Sequence, residues 1–290
     1  MDLTVDEIIA KLDKLATLPE ICLEINRLVD DPDSTTKDIE DVINKDPTLS
    51  ARILSIANSP FYGSSAKIDT ISRAITVVGT NGIRDLVWAT SAIDSFQQFE
   101  SKRFELDNFW RHSLYCATVA RVLASKIKVL HKERFFVASL LHDVGRLVLF
   151  TVLPNEMDRV FEHAESHHES LTDAEQSLFG FTHAQVGAAL LKSWGLPKSI
   201  QDVARYHHRP AHKGDFALEI SIAHIADQIS RTAGVFGNPF DLEQKIDAQA
   251  WVISGLTEKI IDSVIAITDE QYQEASVLFL TNRTTKPIGV

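Results

Sequence analysis

The stretch "LLHDVGRLVL", residues 140–149, is an apolar run broken by an adjacent imidazole and carboxylate, His142 and Asp143, then by Gly145 and Arg146. Its neighbours repeat their apolar residues at helical spacing, so it reads as the end of an apolar helix over 132–143. A His–Asp pair in such a segment is either a satisfied core hydrogen bond or the holder of a metal ion. Both readings put polar groups inside, where each needs a partner.

The same helical period extends in both directions. Ile21, Ile25, Leu28 and Val29 form one stripe, ended by "DDPDS". Asp46 caps a helix whose first residue is Pro47 and whose face carries Leu49, Ile53, Leu54 and Ala57. "NSPFYGSS" breaks it. Ile71, Ala74, Ile75 and Val78 make the next helix, closed by Gly79, and Ile83, Leu86, Val87 and Thr90 another. Further helices are expected over 108–125, 155–168, 172–179, 183–194, 198–208, 216–233, 246–254 and 257–279. Thr182 and Gln185 have the spacing of a capping box for the helix at 183. No alternating strand pattern of useful length occurs, and the fold class is all-α. The polar stretch "QQFESKRFELD" and the segment "FGNPFDLEQK" divide the chain into 1–100, 101–235 and a tail, 236–290.

Composition narrows the function. A chain of 290 residues, 44% hydrophobic and 24% charged, belongs with globular proteins of one large domain or two. Its net charge of −11 opposes a nucleic-acid backbone, so no nucleic-acid partner is expected. A small phosphorylated ligand at a local basic spot remains open. Two cysteines, Cys22 and Cys116, exclude Cys-based zinc fingers and disulfide scaffolds, and both read as buried thiols. The acidic, amphipathic start "MDLTVDEIIAKLDKL" is unlike a signal peptide, and no uncharged apolar run has the length of a membrane span. The expected location is cytoplasmic, with no membrane contact.

Eleven histidines are present. His112 shares a helical face with Cys116, Val119 and Leu123. His142 ends an apolar helix, His183 opens "HAQVGAALL", and His207–His208 ends a helix in which Ile200 and Val203 share the face of His207. Asp143 and Asp227 are the inward carboxylates; Asp227 follows Ile220 and Ala223 by seven and four residues. Such a set can offset its own burial by binding a divalent cation, and imidazole with carboxylate suits Mn, Fe, Zn or Ni. His167–His168 reads as a solvated pair. His163 and His167 have ligand spacing but charged neighbours.

The order His112, His142–Asp143, Asp227 resembles the HD superfamily of metal-dependent phosphohydrolases. "FWRHSLYCATVAR", "ASLLHDVGRLVLF", "FGFTHAQVGAALLKSWGLP" and "ARYHHRP" are similar to segments of the HDOD family, the HD-related output domain of bacterial signalling proteins. So are "LPEICLEINRLVDDP", "INKDPTLSARILSIANSPFYG" and "IDTISRAITVVGTNGIRDLV". The resemblance spans about residues 15–235. It implies an HD-like helical bundle with an added N-terminal helical part, and a role in bacterial signal transduction. It also implies metal ligands at His112, His142, Asp143, His183, His207, His208 and Asp227, the pattern of relatives with an HD-GYP signature that hydrolyse cyclic di-GMP. The chain departs from those relatives in three places. "HHRPAHKGDF" contains no Gly-Tyr-Pro, Asn108 stands where some carry a glutamate ligand, and Arg146 replaces the usual lysine.

Two functions follow. In the first the chain is a regulatory module that holds one or two transition-metal ions, Fe or Mn foremost, and acts on a signalling partner; "NSPFYGS" is a candidate surface loop for it. In the second it is a metal-dependent phosphohydrolase or phosphodiesterase acting on a nucleotide or cyclic dinucleotide. There Asp143 bridges the metals and Arg146 stabilises the developing charge.

Overall fold

Capping and breaking residues set most of the helix ends. The computed structural model describes residues 3–12, 19–59, 67–96, 104–129, 131–212, 214–234 and 245–280, and among them no strand occurs. The first part of the chain forms α1 (Val5–Leu12), α2 (Glu20–Asp30), α3 (Thr36–Ile43), α4 (Pro47–Ala57), α5 (Ile71–Val78) and α6 (Thr80–Ser95). The central part forms α7 (Leu106–Lys126), α8 (Lys132–Leu140), α9 (Val144–Val152), α10 (Pro154–His167), α11 (Leu171–Phe179), α12 (His183–Ser193), α13 (Lys198–Tyr206) and α14 (Ala217–Thr232). Then come α15 (Ala248–Ser254), a short 3-10 turn at Glu258–Ile260, and α16 (Ile261–Leu280).

The expected ends are physically explicit. Asp46 Oδ1 accepts from the backbone of Thr48 and Leu49 at 2.9 and 3.0 Å, with Pro47 in the first turn of α4. Gly79 ends α5 at φ 85°, a conformation that favours glycine. α12 begins at His183, where the Gln185 side chain accepts from the Thr182 backbone at 2.9 Å. Pro60 and Gly63 of the expected breaker, most of the segment expected to part the first two regions, and most of "FGNPFDLEQK" lie outside the described residues.

The decisive stretch differs from expectation. The helix expected over 132–143 stops at Leu140, residues 141–143 form a turn, and a separate helix, α9, starts at Val144. No proline marks the break. His142 Nδ1 donates to Ser139 O at 2.6 Å, so the imidazole folds back onto the end of α8. Gly145 then permits a close crossing. A Cβ there would lie 2.0 Å from His183 O and 2.5 Å from Gly187 N, and Gly187 itself packs on the Gly145 backbone. Only two glycines let α9 and α12 touch this closely.

α7 is the central helix. Its 21 residues span about 31 Å. α8, α14 and α16 pack on it, α12 packs on α9 and α13, and α1 returns to cover α9 and α12. Tyr115 Oη donates to Asp269 at 2.7 Å, tying α16 to α7. The buried apolar residues form one cluster from Ile8 to Phe279, so all three parts share a core. Lys132–Val152 has the length and composition of a membrane span, with mean hydropathy 1.6 over an 18-residue window, but 89% of that window is buried inside the fold.

Candidate metal centre

The ends of α8, α12 and α13 meet the middles of α7 and α14. There the seven expected ligands come together. His112, His142, Asp143, His183, His207 and Asp227 are buried, and His208 is half-buried. Their donor atoms form two groups. One holds His112, Cys116, His142 and Asp227; the other holds Asp143, His183, His207 and His208. Within each group the donor atoms lie within 4.8 Å of one another.

Asp143 lies where the groups adjoin. Its Oδ2 is 3.6 Å from His142 Nε2, and its Oδ1 is 3.1 Å from His183 Nε2 and 3.3 Å from His207 Nε2. Asp227 Oδ1 lies 3.1 Å from His112 Nε2 and 3.8 Å from His142 Nε2. His183 and His208 face each other Nε2 to Nε2 at 3.0 Å.

Several rings are held from behind. His142 Nδ1 bonds Ser139 O, His207 Nδ1 bonds Ala204 O at 2.9 Å, and His183 Nδ1 bonds Glu175 Oε2 at 2.7 Å. Each bond uses the outer nitrogen and aims Nε2 inward, the arrangement that orients metal-ligating histidines. Glu175 Oε2 also accepts from the His183 backbone at 2.8 Å, at the start of α12. His224 fixes the other end. Its Nδ1 donates to His207 O at 2.8 Å, and its Nε2 accepts from the Asp247 backbone at 3.1 Å.

The charges are balanced by arginines. Burial opposes ionisation of Asp143 and Asp227, but Arg146 beside the first and Arg231 beside the second hold both carboxyls well below the usual range. Arg146 Nε is 3.1 Å from Asp143, and Arg231 grips both oxygens of Asp227 at 3.0–3.1 Å. Burial, only partly opposed by Asp143, pushes His142 down to about 4. Burial also disfavours a charged His183, yet Glu175 and Asp143 outweigh it and carry that ring up to about 9.

The donors fit a divalent transition metal. His142 Nε2, Asp143 Oδ1 and His207 Nε2 are buried with no hydrogen-bond partner. Buried polar atoms normally have one; His142 Nε2 in the first group and Asp143 Oδ1 and His207 Nε2 in the second are donors that a cation would satisfy.

Sequence reasoning passed over Glu175, Arg231 and His224 and took Cys116 only as a buried thiol. Glu175 and His224 had the signal that revealed Asp227: a polar residue on an apolar helical face, here beside Leu171, Ala174 and Leu178, or Ile220 and Ile225. Arg146 is paired with Asp143 and is not among the residues lining the neighbouring cavity. That cavity, of about 160 Å³, opens beside His208 and is lined by Thr172, Gln176, Gln185, Arg205 and Arg209 among others. His163 and His167 stand elsewhere. Their rings stack at 4.0 Å, and His163 Nε2 pairs with Glu169 at 3.1 Å.

Comparison with known proteins places this architecture. The HDOD domain family profile matches residues 15–210. A crystal structure of an HDOD domain protein of unknown function from Geobacter sulfurreducens aligns with a TM-score of 0.77 and 26% identity, over 95% of this chain and 97% of that one. A candidate phosphohydrolase from Shewanella amazonensis SB2B shares the fold, with a TM-score of 0.72 and 23% identity, over 94% of this chain and 97% of its own. An uncharacterized protein of Treponema pallidum (strain Nichols) is 26% identical over 203 residues, which are 70% of this chain and 39% of that protein. The chain belongs to the HDOD domain family.

Proposed function

We propose that the chain is a regulatory module that holds a divalent transition-metal pair and passes the state of that site to a signalling partner. The carrying observation is the convergence of His112, His142, Asp143, His183, His207, His208 and Asp227 around buried, unpartnered donors. His112, His142 and Asp227 would hold one ion; His183, His207 and His208 would hold the other, with Asp143 between them. The site draws ligands from α7, α12, α14 and the ends of α8 and α13, so its occupancy reaches most of the central helices. Those helices share a continuous core with α1–α6.

The test is elemental analysis of protein purified without chelator or nickel resin. About two transition-metal ions per chain are expected. Their absence, even after reconstitution with Mn and Fe, would overturn the reading.

A second reading, phosphate-ester hydrolysis, is favoured by the cavity beside His208. Arg205 and Arg209 offer charge to an anionic ligand there, and Thr172 and Gln176 offer hydrogen bonds. A bound metal pair would supply an acidified water and polarise phosphoryl oxygens. Arg146 would keep Asp143 ionised, and Glu175 would keep His183 aimed. Turnover of a nitrophenyl phosphodiester by metal-loaded protein, lost in Arg205→Ala with metal content unchanged, is the expected result for this reading.

A further inference from the structure

We propose that Cys116 is a thiolate ligand of the metal position formed by His112, His142 and Asp227. This inference rests on the metal-binding reading above and gives one half of the site a soft donor.

Cys116 lies one helical turn after His112 on α7, so the two side chains project to the same side. Its Sγ is 3.4 Å from His112 Nε2, and it belongs to the four-donor group with His112, His142 and Asp227. The residue is fully buried. Its thiol donates to Ser230 Oγ at 3.2 Å, while Ser230 gives its own proton to Ala226 O at 2.7 Å. A second observation points to a ligand at the same place: His142 Nε2, on a ring 1% exposed, faces this group with no hydrogen-bond partner.

Ligand count gives the same answer. Asp143 lies between the two positions; apart from it the neighbouring one has three imidazoles, and this one, without Cys116, has two imidazoles and Asp227. The sulfur gives it a donor set of its own of two nitrogens, one oxygen and one sulfur, which suits a transition metal. On binding, the Sγ–H bond breaks, the electron pair stays on sulfur to form the bond to the metal, and the proton leaves to solvent. The two positions are therefore chemically unequal. The thiolate favours Zn, Fe or Co over Mn and Mg at its own position, while the all-nitrogen-and-oxygen position stays permissive.

The experiment is cobalt reconstitution of the metal-free full-length chain, with bound cobalt measured by elemental analysis and followed by absorption. A near-ultraviolet sulfur-to-cobalt charge-transfer band is expected. It should vanish in Cys116→Ser and persist in Cys22→Ser, whose sulfur lies outside the group. If cobalt binds without the band, or the band survives in Cys116→Ser, the thiolate assignment fails and the metal reading stands. If no cobalt binds, both fail. Should Cys116→Ser not fold, X-ray absorption of zinc-loaded wild type decides instead. A sulfur shell at about 2.3 Å supports the assignment, and a shell of nitrogen and oxygen alone overturns it.

Discussion

Among the described residues of α1–α6, the buried charged side chains are Arg52 and Asp85. Arg52 reaches half-exposed Asp94 at 2.8 Å, and Asp85 lies 3.7 Å from Arg84. Between α7 and α14 the interior also holds His112, His142, Asp143, Arg146, Glu175, His183, His207, His224 and Asp227. The first region is held by hydrocarbon burial, at about 25 cal/mol per Å². The second shares that apolar core and adds to it charged groups that would each be costly alone and offset one another. A ligand-building interior therefore sits on an ordinary apolar scaffold, and perturbing the two should give different signatures.

The largest effect is expected from Asp143→Ala. It removes the carboxylate between the two donor groups, which is also the ion-pair partner of buried Arg146 at 3.1 Å. Loss of bound metal and of about 4 kcal/mol in urea unfolding of the metal-free chain are expected. Unchanged metal content would erase the distinction between the regions. Ile53→Ala, in the core of α4, should destabilise by about 3 kcal/mol and leave the metal-to-protein ratio alone.

Gly145→Ala is next, at about 2 kcal/mol. Its effect is mixed, because the added Cβ meets backbone of α12 and displaces His183 from Asp143. Weaker metal retention and a lower melting temperature should appear together.

A smaller effect tests the charged exception in the apolar region. Burial raises Asp85 to about 7, with Glu133 adding to the rise and Arg84 and Arg134 opposing it. A folded-state value above the ordinary 3.8 means that the folded chain binds the proton more tightly. This contribution therefore stabilises most at low pH, declines as pH rises from 3.8 to about 7, and is then constant. Asp85→Asn should flatten that slope, raising the melting temperature relative to wild type at pH 8 but not at pH 4. His167→Ala, on an exposed helix end, should change stability by less than about 0.5 kcal/mol and metal content not at all.

Helix existence was legible where periodicity and caps agreed, as at Asp46–Pro47 and Thr182–Gln185. The eight-residue α3 was missed, although Thr35 and Asp38 form its capping box. Its face is marked only by Ile39, Val42 and Ile43, set among Lys37, Asp38, Glu40 and Asp41. The break between α8 and α9 was illegible because an apolar run shows no turn when the breaking device is a side chain bonded to the preceding carbonyl. The seven residues of the candidate site could be nominated from family resemblance and inward-facing position. Glu175 carried only the signal of a polar residue on an apolar face, and its role stayed hidden because its partner His183 is brought to it by the turn before α12. Arg231 pairs with Asp227 across one helical turn, a spacing that surface ion pairs share.

The turn at His142–Asp143 bears on membrane compatibility as well as on the candidate metal site. Lys132–Val152 is long and apolar enough to cross a membrane by length and composition, and its last 18 residues carry Asp143 and Arg146 as their only charges. Asp143 lies near its middle, where an aspartate opposes insertion by about 3 kcal/mol. The carboxylate placed between the two donor groups is thus also a charge that makes this helix pair a poor membrane span and a good core element, once Arg146 and the histidines surround it.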